Sequence, residues 1–245
     1  MSWYKVEKYD DCLYVITEDK HWEKTNIYYL IGKERNLLID TGTGIKPLKA
    51  LLEEIDKKPI DVLITHGHWD HLGNVHEFDH VFVHEGDLGW VRDGLPLPEE
   101  MLRNGLIKDV EDVYLRNFKM PSLVNKNVKS LDGFTFDGLS IIHTPGHSPG
   151  SVCIYDQKRQ ILFSGDTLYE GTIYCHFEST DPKDLYQSIK KLRGLNVNTI
   201  LSGHYNRPDT GCIEILEEIM HELDLNERLA HGNGLTCKHK ICLQL

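Results

Sequence analysis

The segment His66-Gly67-His68-Trp69-Asp70-His71 places three histidines and one aspartate within six residues. Imidazole and carboxylate both bind metal ions, and these offsets suit that use. Positions i and i+2 of an extended turn point the same way, which gives His66 and His68 a common target. Asp70 and His71 begin the next turn and aim at a neighbouring point. Four ligands so close together are too many for one tetrahedral ion that also needs distant ligands, so the spacing predicts two divalent ions. Nitrogen and carboxylate donors suit zinc, and also iron or manganese.

Three distant residues share a local context with His66. The sequences are Ile64-Thr65-His66-Gly67, Thr144-Pro145-Gly146-His147, Phe163-Ser164-Gly165-Asp166 and Leu201-Ser202-Gly203-His204. Each puts a potential ligand just after a predicted strand and beside a glycine. Strand ends are rigid platforms, and glycine lets a loop approach a ligand closely. The other histidines (His21, His76, His80, His84, His143, His176, His221, His231 and His239) lack this context and read as ordinary surface or core residues.

The elements that must position these residues are legible in outline. Strands are predicted at Cys12 to Thr17, Ile27 to Ile31 and Asn36 to Asp40, from their β-branched, aromatic and apolar runs. A helix follows Pro47, with Leu48, Leu51, Leu52 and Ile55 on one face, and a strand from Asp61 to Thr65 leads into His66. Val81 to His84 is another strand. Residues 86–127 mix Pro96, Pro98 and Pro121 with short amphipathic pieces and read as an insertion of small helices and loops. Strands resume at Phe134 to Phe136, Leu139 to His143, Val152 to Tyr155, Ile161 to Ser164 and Thr199 to Ser202. Helices are predicted from Pro182 to Leu192, with Asp181 as N-cap, and from Asp209 to Leu223 or beyond. Two groups of strands, each followed by helices, predict two mixed sheets with helices outside, a four-layer α/β arrangement.

Composition limits the function. The 245 residues fit one large domain or two small ones, and no apolar run approaches the ~20 residues that span a bilayer. The first residues lack the apolar stretch of a signal peptide, so a soluble, cytoplasmic protein without a membrane partner is expected. With 27 basic against 38 acidic side chains the formal charge is −11, which argues against nucleic acid. The six cysteines form no C-x-x-C pair and are expected to be free thiols.

Taken together, these motifs closely resemble the metallo-β-lactamase superfamily. The matching segments are His66-Gly67-His68-Trp69-Asp70-His71, Thr144-Pro145-Gly146-His147-Ser148-Pro149-Gly150, Ser164-Gly165-Asp166-Thr167, Ser202-Gly203-His204 and the early Asp40-Thr41-Gly42. The resemblance implies an αββα sandwich over residues 1–245 as a single domain, with the insertion at about 86–127. It also implies one metal on His66, His68 and His147, a second on Asp70, His71 and His204, and Asp166 bridging both. Asp40 would orient the site from behind the ligands.

The same comparison narrows the substrate. β-Lactamases of the superfamily generally lack the bridging aspartate, its nucleases carry large inserted domains, and its flavodiiron members have Glu where this chain has His68. What remains is the group of hydroxyacylglutathione hydrolases, other thioesterases and lactonases. The short stretch after His204 departs from the longer helical region that helps the first of these bind glutathione.

Two divalent ions would lower the pKa of a shared water from about 15.7 toward about 7, and the resulting nucleophile would attack an ester or thioester carbonyl. Asp70 can take the nucleophile's proton. Tyr169, three residues after Asp166, either donates a hydrogen bond to the oxyanion or packs under the loop. Trp90, Leu95, Leu97, Met101, Leu102, Leu106, Leu115, Phe118 and Met120 of the insertion either line a substrate groove or form a satellite core. The expected partner is a small-molecule substrate such as an acyl-CoA, an acylglutathione or a lactone, with a homodimer as an admissible assembly. The competing readings are an iron-dependent oxidoreductase of the persulfide dioxygenase type, a phosphodiesterase and a metal-stabilised binding module.

Overall fold

Alternating and continuous apolar runs in the first half of the chain form a seven-stranded sheet. A computed structural model describes residues 2–245. It divides the chain into two compact units, one ending at Phe134 and the other beginning at Thr135. The sheet of the first unit runs, in spatial order, β1 (Lys5–Lys8), β2 (Leu13–Thr17), β3 (Asn26–Leu30), β4 (Asn36–Ile39), β5 (Ile60–Leu63), β6 (Val81–Val83) and β7 (Lys129–Ser130). β1 to β4 pair antiparallel, and β4 to β7 pair parallel. β3 and β4 are buried along their whole length, whereas the exposed edge β1 reads Lys-Val-Glu-Lys, charges that blunt an open edge.

The helices of this unit are α1 (Lys49–Ile55), α2 (Trp69–Leu72), α3 (Leu88–Asp93), α4 (Glu99–Ile107) and α5 (Asp112–Leu115). α1 is the amphipathic helix expected after Pro47. Its first amides are capped from a distance, by the Glu77 carboxylate accepting from Leu48 N and Lys49 N at 3.0 and 2.8 Å. The insertion holds α3 to α5 and is anchored to the core. Val91, Leu106, Val110, Tyr114 and Leu123 are buried, Trp22 Nε1 donates to Gly105 O at 2.9 Å, and Asn125 Nδ2 donates to Val75 O and Phe78 O. Of the proposed lining residues, Leu106 belongs to the core, Leu97 and Met101 are exposed, and Trp90 is half-buried.

In the second unit, β8 (Leu139–His143), β9 (Val152–Asp156), β10 (Ile161–Gly165) and β12 (Thr199–Ser202) form a four-stranded sheet in the order β12-β10-β9-β8, with β10 and β12 parallel. β11 (Gly171–Tyr174), β13 (Leu235–Lys238) and β14 (Ile241–Gln244) form a second, three-stranded sheet in the order β11-β14-β13. The helices are α6 (Pro182–Arg193) and α7 (Cys212–Leu225). Asp181 caps α6 as expected, accepting from Lys183 N and Asp184 N at 2.8 and 3.0 Å.

Three expectations fail here. Phe134 to Phe136 is not a strand: turns at Asp132-Gly133 and Asp137-Gly138, both glycines at φ +75°, leave too few residues to pair, and Phe134 packs on Phe82 instead. α7 starts at Cys212 because Asp209 is spent on a turn, accepting from Gly211 N at 2.8 Å. Cys237 and Cys242 are not free thiols; they face each other across the β13–β14 hairpin and are disulfide-bonded. Among the described residues no helix is long and apolar enough to cross a membrane.

Candidate metal centre

In the first unit, β4 and β5 end side by side and deliver Asp40 and Thr65-His66 to the same edge. Asp40 has φ +63°, a left-handed conformation that aspartate tolerates better than most residues. Its carboxylate joins three segments. Oδ1 accepts from Thr65 N at 2.7 Å, while Oδ2 accepts from Thr65 Oγ1 and His71 Nδ1, both at 2.8 Å. Because Nδ1 of His71 is committed to Asp40, Nε2 is the nitrogen left with a lone pair to offer. Thr41 holds the other side of this residue, donating from N and Oγ1 to His71 O.

The local cluster comes together as the spacing predicts. The His66 ring lies 4.7 Å from His68 and 4.2 Å from His71, and Asp70 Oδ2 is 3.5 Å from His71 Nε2. His66, Asp70 and His71 are buried, and His68 is half-buried.

Behind the loop after Asp40 lies a buried acid that the sequence did not flag. Glu18 accepts from Trp3 Nε1, Thr43 N and Thr43 Oγ1 at 2.8 to 2.9 Å. Burial pushes its carboxyl up from 4.5 to about 7 against those three hydrogen bonds, and the charge of Asp70 adds to the rise. Between these two values the folded chain keeps a proton that the unfolded chain has released. The contribution of Glu18 to stability is therefore largest below about pH 4.5, falls as pH rises toward 7, and is level above it. The fall is on the order of 3 kcal/mol. Urea unfolding at about pH 5 and about pH 8 should show this loss in the wild type and a flatter profile in Glu18→Gln. Equal pH slopes in the two proteins would contradict the assignment.

In the second unit, parallel β10 and β12 end together and deliver Asp166 and His204. Asp166 Oδ2 lies 2.9 Å from His204 Nε2 and 3.6 Å from His147 Nε2. His147 Nδ1 donates to Tyr174 O at 2.9 Å; a carbonyl can only accept, so Nε2 carries the lone pair. A Cβ on Gly203 would stand 2.3 Å from Asp166 Oδ1, so only glycine leaves space for the carboxylate. The serines and threonines of the motifs shape the loops. Ser164 Oγ donates to Leu168 O, Ser202 Oγ donates to His204 O, and Thr144 and Thr167 share a 3.1 Å hydrogen bond between hydroxyls.

Tyr169 is buried. Its ring meets His204 edge-on at 5.4 Å, and its hydroxyl donates to Thr172 O at 2.5 Å. His176 is exposed with its ring 4.0 Å from Phe177, and His76, His80, His221 and His231 make ordinary polar contacts.

Among the described residues, His66, His68, Asp70 and His71 of the first unit and His147, Asp166 and His204 of the second are His and Asp groups suited to divalent ions. The donor chemistry fits: His71 and His147 each have Nδ1 committed to an oxygen acceptor, which turns Nε2 into the ligating nitrogen.

The sequence profile of the metallo-β-lactamase superfamily matches residues 22–204. The chain is 27% identical over 241 residues to the human acyl-coenzyme A thioesterase MBLAC2, covering 84% of this chain and 82% of that protein. It is 34% identical over 175 residues to the hydroxyacylglutathione hydrolase GloC of Haemophilus influenzae, covering 68% and 78%. The solved structure of TTHA1623 in a di-iron-bound form superimposes with a TM-score of 0.56 at 29% identity, covering 78% of this chain and 92% of that one. The α/β fold is thus the metallo-β-lactamase fold, and the chain belongs to the metallo-β-lactamase superfamily as a hydrolytic enzyme with His and Asp groups suited to divalent ions.

Proposed function

We propose that this chain hydrolyses small carboxylic thioesters, of the acyl-CoA or acylglutathione class, with two divalent ions, zinc in the first instance. One ion would sit on His66, His68 and His147, the other on Asp70, His71 and His204, with Asp166 shared. Residues 1–245 would act as one domain, a reading supported by a family profile that runs through the boundary at Phe134. The observation that carries the proposal is Asp166, held against His204 and His147 in a Ser-Gly-Asp-Thr turn where β-lactamases generally lack an acid. Similarity over most of the chain to a thioesterase and to a hydroxyacylglutathione hydrolase supports the same bond class. The di-iron form of TTHA1623 keeps iron in view as an alternative occupant.

Bound divalent ions would supply an activated water and polarise the substrate carbonyl. The chain's own residues do the rest. Asp40 fixes His71, and the Tyr174 carbonyl fixes His147, so that neither imidazole has to reorganise during turnover. Asp70, at the start of α2, holds the proton lost by the nucleophile on its carboxylate. The Tyr169 hydroxyl would exchange Thr172 O for the oxyanion of the tetrahedral intermediate. On that basis Tyr169→Phe should lower kcat by roughly 10- to 1000-fold with unchanged metal content. A wild-type kcat in this variant would reduce Tyr169 to packing.

The test is a substrate panel on metal-replete enzyme: acyl-CoA, acylglutathione, lactone, phosphodiester and penicillin. Thioester cleavage should exceed β-lactam cleavage. Clear penicillin turnover without thioester activity would contradict the proposal. So would oxygen uptake on a persulfide by iron-loaded protein lacking esterase activity.

A further inference from the structure

Two side chains outside the seven candidate ligands press on the turn that carries His68. The first is Asp87, the last residue of a 3-10 turn at Glu85–Asp87 directly after β6. It is fully buried, and its Oδ2 accepts from Gly67 N at 2.8 Å. The second is Trp90 in α3. Its ring lies parallel to His68, with an interplanar angle of 17° and centroids 6.0 Å apart.

Gly67 is what lets both come this close. A Cβ there would stand 3.0 Å from Trp90 Cε3 and 3.2 Å from Asp87 Cβ. The support is itself anchored. His84 Nδ1 accepts from Gly86 N, Val91 is fully buried, and Asn125 N donates to Val91 O at 2.8 Å. His66 and His71 are buried within the strand-end cluster, whereas His68 is half-buried.

We propose that Asp87 and Trp90 are positioning residues that fix the Gly67-His68 turn and the plane of the His68 imidazole, and so set how tightly one of the two ions is held. Asp87 pins the backbone from which the side chain starts. Trp90 walls one face of the imidazole and restricts its rotation, leaving the ring edge, where the nitrogens are, to address the ion. The helical insertion thus acts on the metal centre as well as on the core. This inference rests on the reading of His68 as a ligand. Loss of a residue that orients a metal-binding histidine typically weakens binding 10- to 100-fold.

The experiment uses the full chain as wild type, Trp90→Leu, Trp90→Phe, Asp87→Ala, Asp87→Asn and His68→Ala. Stepwise Zn2+ affinities are measured by competition with a chromophoric chelator, and the visible spectrum is recorded with Co2+ in place of Zn2+. Trp90→Leu should weaken one of the two binding steps roughly 10- to 100-fold, leave the other within twofold and alter the Co2+ spectrum. Trp90→Phe, which keeps a flat ring, should recover most of the loss. Asp87→Ala should weaken the same step, and Asp87→Asn, which retains an acceptor for Gly67 N, should recover part of it. If Asp87→Ala does not fold, the Trp90 pair decides.

Unchanged affinities in Trp90→Leu, or an equal loss in both steps, would overturn the proposal. So would failure of Trp90→Leu to fold, since the ring would then serve the fold rather than His68. If His68→Ala loses neither ion, the ligand assignment fails instead, which separates the two claims.

Discussion

Replacing Asp166 with alanine is expected to remove one of two bound ions and to lower kcat/KM by more than about 100-fold, beyond what is typical for residues that merely support a ligand. Both carboxylate oxygens are buried in the site. Oδ2 lies between His204 Nε2 at 2.9 Å and His147 Nε2 at 3.6 Å, and Oδ1 occupies the space that a side chain at Gly203 would take. Alanine leaves that space empty and would provide no carboxylate to offset the charge of the two ions proposed above. The protein should still fold, because β10 and β12 keep their backbone pairing, including Gly203 N to Gly165 O at 2.8 Å. Elemental analysis of metal-replete Asp166→Ala should give one ion per chain where the wild type gives two. Two ions and a near-normal rate in the variant would refute the shared-ligand assignment.

A large loss of stability is expected from Gly146→Ala. Gly146 has φ +136°, a conformation that L residues rarely adopt, and an added Cβ would stand 2.4 Å from Leu185 Cα and N in the backbone of α6. The loop cannot move away cheaply. Gly146 O accepts from Asp181 N, the residue that caps α6, and Gly146 N donates to Ser148 O. Strain of this kind together with a clash against helix backbone should cost about 3 kcal/mol or more. Because His147 follows directly, ion binding should weaken in the same variant. Denaturant unfolding of the metal-free proteins isolates the folding term, and a loss below about 1 kcal/mol would show that the loop yields more easily than its packing implies.

The parts of the molecule legible in the sequence were those whose signals are local. Six consecutive residues carry the His66 to His71 cluster, and α6 announces itself through Asp181 and Pro182 at its own start. β2 to β5 follow from runs of β-branched, aromatic and aliphatic residues. What stayed hidden depends on partners far away along the chain. Glu77 caps α1 from 28 residues beyond Lys49, Glu18 meets Thr43 across 25 residues, and Asp87 meets Gly67 across 20. β7 is a two-residue strand, too short for any periodicity to appear. β13 and β14 are partly exposed and mix polar with apolar residues, so their pairing and the Cys237–Cys242 link emerge only once the hairpin has closed. Phe134-Thr135-Phe136 erred in the opposite direction: its alternation was genuine, but the flanking turns left it no partner.

The small sheet of β11, β14 and β13 matters to anyone who would shorten or fuse this protein at its carboxyl end. β14 pairs in parallel with β11, and Cys175 N donates to Gln244 O just beyond it. β11 in turn provides the carbonyls of Thr172 and Tyr174 that receive Tyr169 and His147. Trimming at Leu235 would strip β11 of its neighbour and loosen the acceptor that orients His147, although no trimmed residue is a candidate ligand.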